Sequence, residues 1–331
     1  MNRVILLKKR PVGRPAFSDF EFDSAAIPVP STGKILIKTV FVSVDPYLRG
    51  RMNDSKSYVG PFEIGKPIQS GIIGQVVDSK NAEFRKEDFV FGNLEWKEYQ
   101  ESDGKGLVKV DSKVSSLSSY LGILGMTGLT AYLGLTEIGM PKSGETIVVS
   151  GAAGAVGSVV GQVGKIMGCR VVGITGTNEK AKLIKSKFGF DHAINYKTSD
   201  DLKAAIRDAC PDGVDIYFDN VGGVISDAVL ANINKHARLP VCGAISQYND
   251  TNPSLGPRLQ PILLTKSATM RGFIVSDFSA KFPEAMKQLI RWLKDGKLTY
   301  SETIVEGFEN IPHAFIDLFD GKNEGKMIVK I

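Results

Sequence analysis

The run Thr146-Ile147-Val148-Val149-Ser150-Gly151-Ala152-Ala153-Gly154-Ala155-Val156-Gly157 decides the fold. Its first five residues read as a strand of the kind buried on both faces of a parallel sheet. Its second half carries no bulky side chain until Val156, and a helical spacing of Val156, Val159, Val160, Val163, Ile166 and Met167 follows. A strand, a tight small-residue turn and a helix in that order let backbone N–H groups approach a pyrophosphate, and the helix N-terminus adds partial positive charge there. The glycines spell GxxGxxG, with Ala152 where the usual fingerprint has its first glycine. Ala152, Gly154, Ala155, Val156 and Gly157 are therefore candidate dinucleotide contacts. Gly157, Gly161 and Gly164 line one helix face and suit close packing on the sheet.

Outward from this turn the chain keeps a βαβ rhythm. Strands are expected at 170–175, near 192–196, and at 215–219, 238–242 and 269–275, with helices at 155–167 and 179–188. Gly168 is placed to end the first helix. Six strands in this rhythm predict a doubly wound parallel sheet. Before it, Leu121–Leu135 is a Gly-dotted apolar stretch expected to be helical and buried. Residues 1 to about 120 read instead as short strands punctuated by Gly, Pro and Asn, including Lys34–Val40, Gly71–Val77, Asp88–Gly92 and Gly106–Val110. That segment is expected to form a partly open barrel. The tail gives a helix ending at Asp295-Gly296, a strand at Glu302–Val305, a helix at Ile311–Phe319 and a strand at Lys326–Ile331. The simplest assembly returns the tail to the first domain, so domains are expected at 1–122, 123–296 and 297–331.

The second strand of the rhythm ends Gly173-Ile174-Thr175-Gly176-Thr177-Asn178, followed by Glu179 and Lys180. No acid stands where a ribose 2′-hydroxyl would be bound, about 20 residues beyond the glycines. A charge that would repel a 2′-phosphate is thus missing, and Lys180 supplies attraction; NADP is favoured over NAD.

The 331 residues are 43% hydrophobic and 23% charged with a net charge of +5, ordinary for a globular chain of two domains. Lys and Arg are dispersed, so no basic stripe points to nucleic acid. No signal peptide is read at the start, and no run approaches the roughly 18 apolar residues of a membrane span. The three cysteines, Cys169, Cys210 and Cys242, are far apart without a CxxC. A cytoplasmic chain with reduced thiols is expected. The first 168 residues contain neither Cys nor His. Neither the catalytic nor the four-cysteine zinc site of an alcohol dehydrogenase can be built in its usual form, so no metal is expected. Hydride addition to a C=C bond polarised by a carbonyl needs only hydrogen-bond stabilisation of the oxygen, and is easier to support than zinc-free alcohol oxidation.

The ordered segments Val44-Asp45-Pro46-Tyr47-Leu48-Arg49, Gly125-Met126-Thr127-Gly128-Leu129-Thr130-Ala131-Tyr132, the AAGAVG turn, Asp219-Asn220-Val221-Gly222-Gly223, Cys242-Gly243-Ala244-Ile245-Ser246-Gln247-Tyr248-Asn249 and Glu306-Gly307-Phe308-Glu309-Asn310 span nearly the whole chain. Together they resemble the zinc-independent medium-chain dehydrogenases/reductases of the prostaglandin reductase (leukotriene B4 12-hydroxydehydrogenase) and plant double-bond reductase group. The resemblance implies a GroES-like catalytic domain built from both chain ends, a Rossmann domain, NADP(H), a homodimer and a cleft between domains. It implies that Lys180 and Tyr196 contact the 2′-phosphate and that Asn323 contacts the cofactor. Tyr248 is placed beside the nicotinamide ribose and the substrate carbonyl, and Tyr47 lines the substrate pocket. Thr127, Gly176, Asn220, Gly243, Ile245, Phe273 and Val275 complete the candidate cofactor set. The Pro-, Gly- and Asn-rich loop 249–260 is expected to border the substrate.

The expected activity is NADPH-dependent reduction of α,β-unsaturated aldehydes or ketones, with Tyr248 hydrogen-bonding the carbonyl or orienting the ribose. A quinone reductase of the same superfamily and a non-enzymatic NADPH sensor are the competing readings. No nucleic-acid or membrane partner is expected.

Overall fold

The computed structural model describes all residues 1–331 and divides into two compact units. The first comprises Met1–Leu121, Glu302–Asn323 and Met327–Ile331; the second comprises Gly122–Ser301 and Glu324–Lys326.

In the first unit, β1 (Asn2–Leu7) pairs antiparallel with β2 (Phe20–Ala25), from Asn2 opposite Ala25 to Leu7 opposite Phe20. Val4, Ile5 and Leu7 bury there. The strands β3 (Ile35–Ser43), β4 (Gln69–Ser79), β5 (Phe89–Glu95), β6 (Tyr99–Ser102) and β7 (Val108–Val110) follow, with a single helical turn α1 (Leu48–Arg51) between β3 and β4. Their inward residues Ile35, Ile37, Ile72, Val76 and Val90 are fully buried. Trp96 is fully buried as well and donates from Nε1 to Ser70 Oγ at 2.8 Å, which satisfies its only polar atom.

The second unit opens with α2 (Met126–Gly134) and then alternates: β8 (Thr146–Ser150), α3 (Gly157–Ile166), β9 (Arg170–Thr175), α4 (Asn178–Ser186), β10 (His192–Asn195), α5 (Leu202–Ala209), β11 (Val214–Phe218), α6 (Gly223–Leu230), β12 (Ile233–Val241), α7 (Gln260–Lys266), β13 (Thr269–Gly272) and α8 (Phe282–Lys294). Its six strands run parallel in the order β10-β9-β8-β11-β12-β13. This is the doubly wound sheet read from the sequence. The strand order reverses between β8 and β11, and ligands of such sheets bind at that reversal, outside the carboxyl ends of the strands.

Several elements differ from expectation. The helix expected over 121–135 starts only at Met126, after a 3-10 turn at Leu117–Leu121. The strand expected to begin at 238 begins at Ile233, with a register shift between Val214/Ile233 and Ile216/Arg238 and a positive φ of 65° at His236. The strand expected to reach 275 stops at Gly272, because Val275 opens a 3-10 segment in which Asp277 accepts from the Ile274 N–H at 3.2 Å.

The tail supplies β14 (Glu302–Glu306), α9 (Ile311–Asp317) and β15 (Lys326–Lys330). In the first unit the sheet runs β14-β15-β3-β4-β5-β7, with β6 also on β3. The return to this unit comes at 302 rather than 297, because the Gln162 amide holds both the Thr299 N–H (2.8 Å) and the Thr299 carbonyl (2.9 Å) in the second unit.

Candidate functional site

The glycine-rich turn leaves β8 through Gly151, at a φ of +60°. The Ala152 N–H returns to Ile174 O at 3.1 Å and the Gly154 N–H to Gly151 O at 2.9 Å, so the turn is self-braced. The N–H groups of Ala155, Val156 and Gly157 at the mouth of α3 have no hydrogen bond within the chain, as the first donors of a helix do not. A methyl on Gly157 would stand 2.4 Å from Gly151 O and 2.8 Å from Ala152 Cα, so only glycine lets α3 start this close to the turn. Gly161 lies under the Phe190 ring, and Gly164 lies against Ile147 and Val171, the close helix–sheet packing expected of them. The turn is closed from outside by the chain's tail: Gly325 donates to Ala153 O at 2.8 Å and bridges Gly154 in parallel.

At the ends of β9 and β10, Gly176, Lys180 and Tyr196 come together. A methyl on Gly176 would sit 3.3 Å from Tyr196 Cε1, 3.6 Å from Tyr196 Oη and 3.5 Å from Lys197 Cε. Lys180 is the third residue of α4, whose N-cap Thr177 accepts from the Lys180 N–H at 3.2 Å. Asn195 Nδ2 donates to Asn178 Oδ1 at 2.8 Å and ties the two loops. Burial depresses the Lys180 ammonium below its usual range, Glu324 opposes that depression, and Lys197 adds to it. Lys197 was not singled out in the sequence; its place directly after Tyr196 was the available signal.

Beyond β11, the Asn220 side chain donates to Ser150 O at 2.8 Å and its N–H to Ser150 Oγ at 2.9 Å, joining this turn to the one after β8. Beyond β12, Gly243, Ile245 and Tyr248 follow. The Ala244 N–H donates to Tyr248 Oη at 3.3 Å. The phenol therefore accepts from the backbone and keeps its own proton to donate. Burial, more than the nearby Cys242 and Asp219, raises the Tyr248 phenol above its ordinary value, so it is neutral at physiological pH. A methyl on Gly243 would lie 3.0 Å from the same oxygen.

The remaining candidates are placed as follows. Thr127 is buried and its hydroxyl donates to Gly122 O at 3.0 Å. The Phe273 ring is buried against Phe218, with centroids 6.2 Å apart. Val275 is half-buried at the start of its 3-10 segment. Tyr47 caps α1 in the first unit and packs on that unit's core; burial and Asp45 push its phenol far above the ordinary value. Asn323 belongs to the first unit by its contacts. Nowhere do three His, Cys, Asp or Glu side chains group so as to hold a metal ion.

Residues 3–110 match the family described as the N-terminal domain of oxidoreductase, and residues 155–294 match the family described as zinc-binding dehydrogenase. YfmJ of Bacillus subtilis (strain 168), which carries the name of an NADP-dependent oxidoreductase, is 56% identical over 99% of this chain and 97% of its own. The 2-alkenal reductase (NADP(+)-dependent) of Nicotiana tabacum is 43% identical over 100% of this chain and 97% of its own. The crystal structure of CurA from Vibrio vulnificus in complex with NADPH superposes with a TM-score of 0.95 at 45% identity, covering 99% of this chain and 98% of that one.

Proposed function

On the premise that this chain belongs to the zinc-independent medium-chain dehydrogenase/reductase family, we propose that it is an NADPH-dependent reductase of α,β-unsaturated aldehydes and ketones. The site fits the cofactor in three places. The Gly157 cradle and the open N–H groups of Ala155, Val156 and Gly157 suit a pyrophosphate. Lys180, Tyr196 and Lys197 around Gly176 suit a 2′-phosphate, two cations and a hydroxyl for a dianion. The turns after β8 and β11 meet at the strand-order reversal, as a dinucleotide fold requires.

Bound NADPH supplies a hydride. The task of the chain is to hold the substrate carbonyl while its conjugated β-carbon receives that hydride and its α-carbon then takes a proton. Tyr248 donates a hydrogen bond to the carbonyl oxygen as negative charge grows on it, a contact worth more in the transition state than in the ground state. The observation that carries this reading is the Ala244 N–H bond to Tyr248 Oη, which aims a neutral phenol and leaves its proton free. The tobacco relative's name, 2-alkenal reductase (NADP(+)-dependent), supports the substrate class.

The test is loss of NADPH absorbance on adding 2-alkenals, enones and quinones in parallel, repeated with NADH. Turnover of alkenals or enones with NADPH preferred is expected. Turnover of quinones alone would replace the substrate class, and NADPH binding without turnover of any acceptor would make the chain a sensor.

A further inference from the structure

We infer that Asp219 is the positioning residue of this site: its buried carboxylate organises the two segments that carry Asn220 and Tyr248, and acts on the reaction through Tyr248. The inference rests on the reading of Tyr248 given above.

Asp219 is 5% exposed and forms no ion pair with any Lys, Arg or His. A carboxylate buried without a cation is costly unless hydrogen bonds meet it. Here they do. Oδ1 accepts from Tyr217 Oη (2.8 Å), Ser150 Oγ (2.9 Å), the Gly222 N–H (2.9 Å) and the Val221 N–H (3.0 Å), and Oδ2 accepts from Ser226 Oγ. Two of these donors are the backbone of the loop that opens α6. Ser150 Oγ in turn accepts from the Asn220 N–H at 2.9 Å, so three consecutive loop residues are fixed by one carboxylate and its serine.

That loop then holds the next. The Asp219 carbonyl accepts from the Cys242 N–H (2.8 Å) and the Gly243 N–H (3.1 Å). Asn220 O accepts from the Ile245 N–H at 3.3 Å, and Val221 O from the Ser246 N–H at 3.1 Å and its hydroxyl at 2.6 Å. Ala244, held between these bonds, is the residue whose N–H aims Tyr248 Oη. A continuous hydrogen-bonded path runs from the carboxylate through 220–222 and 242–246 to the phenol. A charge at the centre of such a path strengthens each bond made to it.

The decisive variant is Asp219→Asn, which keeps the shape of the side chain but removes its charge. Two measurements are made. In the unliganded protein, amide hydrogen exchange is followed in peptides covering 220–222 and 242–248, with β8 and β9 as internal reference. Protection in both loops is expected to fall about tenfold, with the reference strands unchanged. In turnover with NADPH and trans-2-hexenal, Asp219→Asn is combined with Tyr248→Phe. Alone, at saturating NADPH, Asp219→Asn is expected to lower kcat about tenfold; in the Tyr248→Phe background it should lower kcat by less than about twofold.

Unchanged exchange, unchanged kcat, or the same fold loss in both backgrounds would each overturn the inference. If Asp219→Asn does not fold, Ser226→Ala removes the Oδ2 partner and carries the same cycle. If the wild-type protein does not turn over alkenals or enones, the proposed function has failed, and the exchange measurement alone decides the role of Asp219.

Discussion

Tyr248→Phe removes one oxygen and leaves the ring. Its hydrogen bond to a developing oxyanion is worth about 1.5–3 kcal/mol, so kcat should fall tenfold or more while the NADPH Kd holds. Unchanged turnover would remove Tyr248 from the chemistry. Lys180→Ala should weaken NADPH binding by about 1–2 kcal/mol and leave NADH binding unchanged, measured by fluorescence titration of each. Equal losses for both would defeat the 2′-phosphate assignment. As candidates, Lys180 was readable from the missing acid after the second strand, and Tyr196 and Tyr248 were readable from what the resemblance implies. The role of Asp219 was not. It stands in one of the quoted segments, but its partners Ser150 and Ser226 lie 69 residues before it and 7 after it, and only the folded sheet brings them together.

At the scale of elements, β8 and β9 match their expected bounds because each is a short run rich in β-branched residues, bounded by turn residues. β12 was half read: Asn234, Lys235 and His236 are polar, and the register shift lets them sit in a strand that hydropathy alone does not show. β1 and β2 were not read as a pair, since 12 residues with no turn signature of a short hairpin separate Leu7 from Phe20. The glycine turn supports a sharper expectation. Gly157→Ala must shift Gly151 O or Ala152, so the purified variant should lose NADPH binding and unfold at lower temperature. Gly243→Ala meets the movable Tyr248 hydroxyl at 3.0 Å and, less closely, Asn220 O at 3.3 Å. It should fold normally and lose turnover; wild-type turnover in that variant would show that the phenol's position is unimportant.

Across the whole molecule, alkaline pH tests the buried acids. Burial raises the Cys169 and Cys210 thiols to about 11 and Cys242 to about 12, and it raises the Tyr47, Tyr217 and Tyr248 phenols. In the unfolded chain these thiols ionise near 9.0 and the phenols near 10.0. The folded state therefore keeps protons that the unfolded state releases. Their stabilisation is complete below about pH 9 and is lost as pH climbs through 11 to 12. The thermal midpoint should be level from about pH 7 to 8.5 and fall above it; a level midpoint to about pH 11 would contradict this burial. A chelator should leave activity unchanged, since no cluster of metal-ligating side chains exists to be stripped.

The tail that donates Gly325 to the glycine turn also gives β15, whose Ile328 pairs with Ser43. Translation delivers these residues after both partners, so neither the nucleotide cradle nor the N-terminal sheet is complete on a nascent chain that still lacks them. Until they arrive, the Ser43 end of β3 waits for a strand of its own. Crowded polysomes, or any premature stop ahead of residue 324, would leave that edge open to the wrong neighbour.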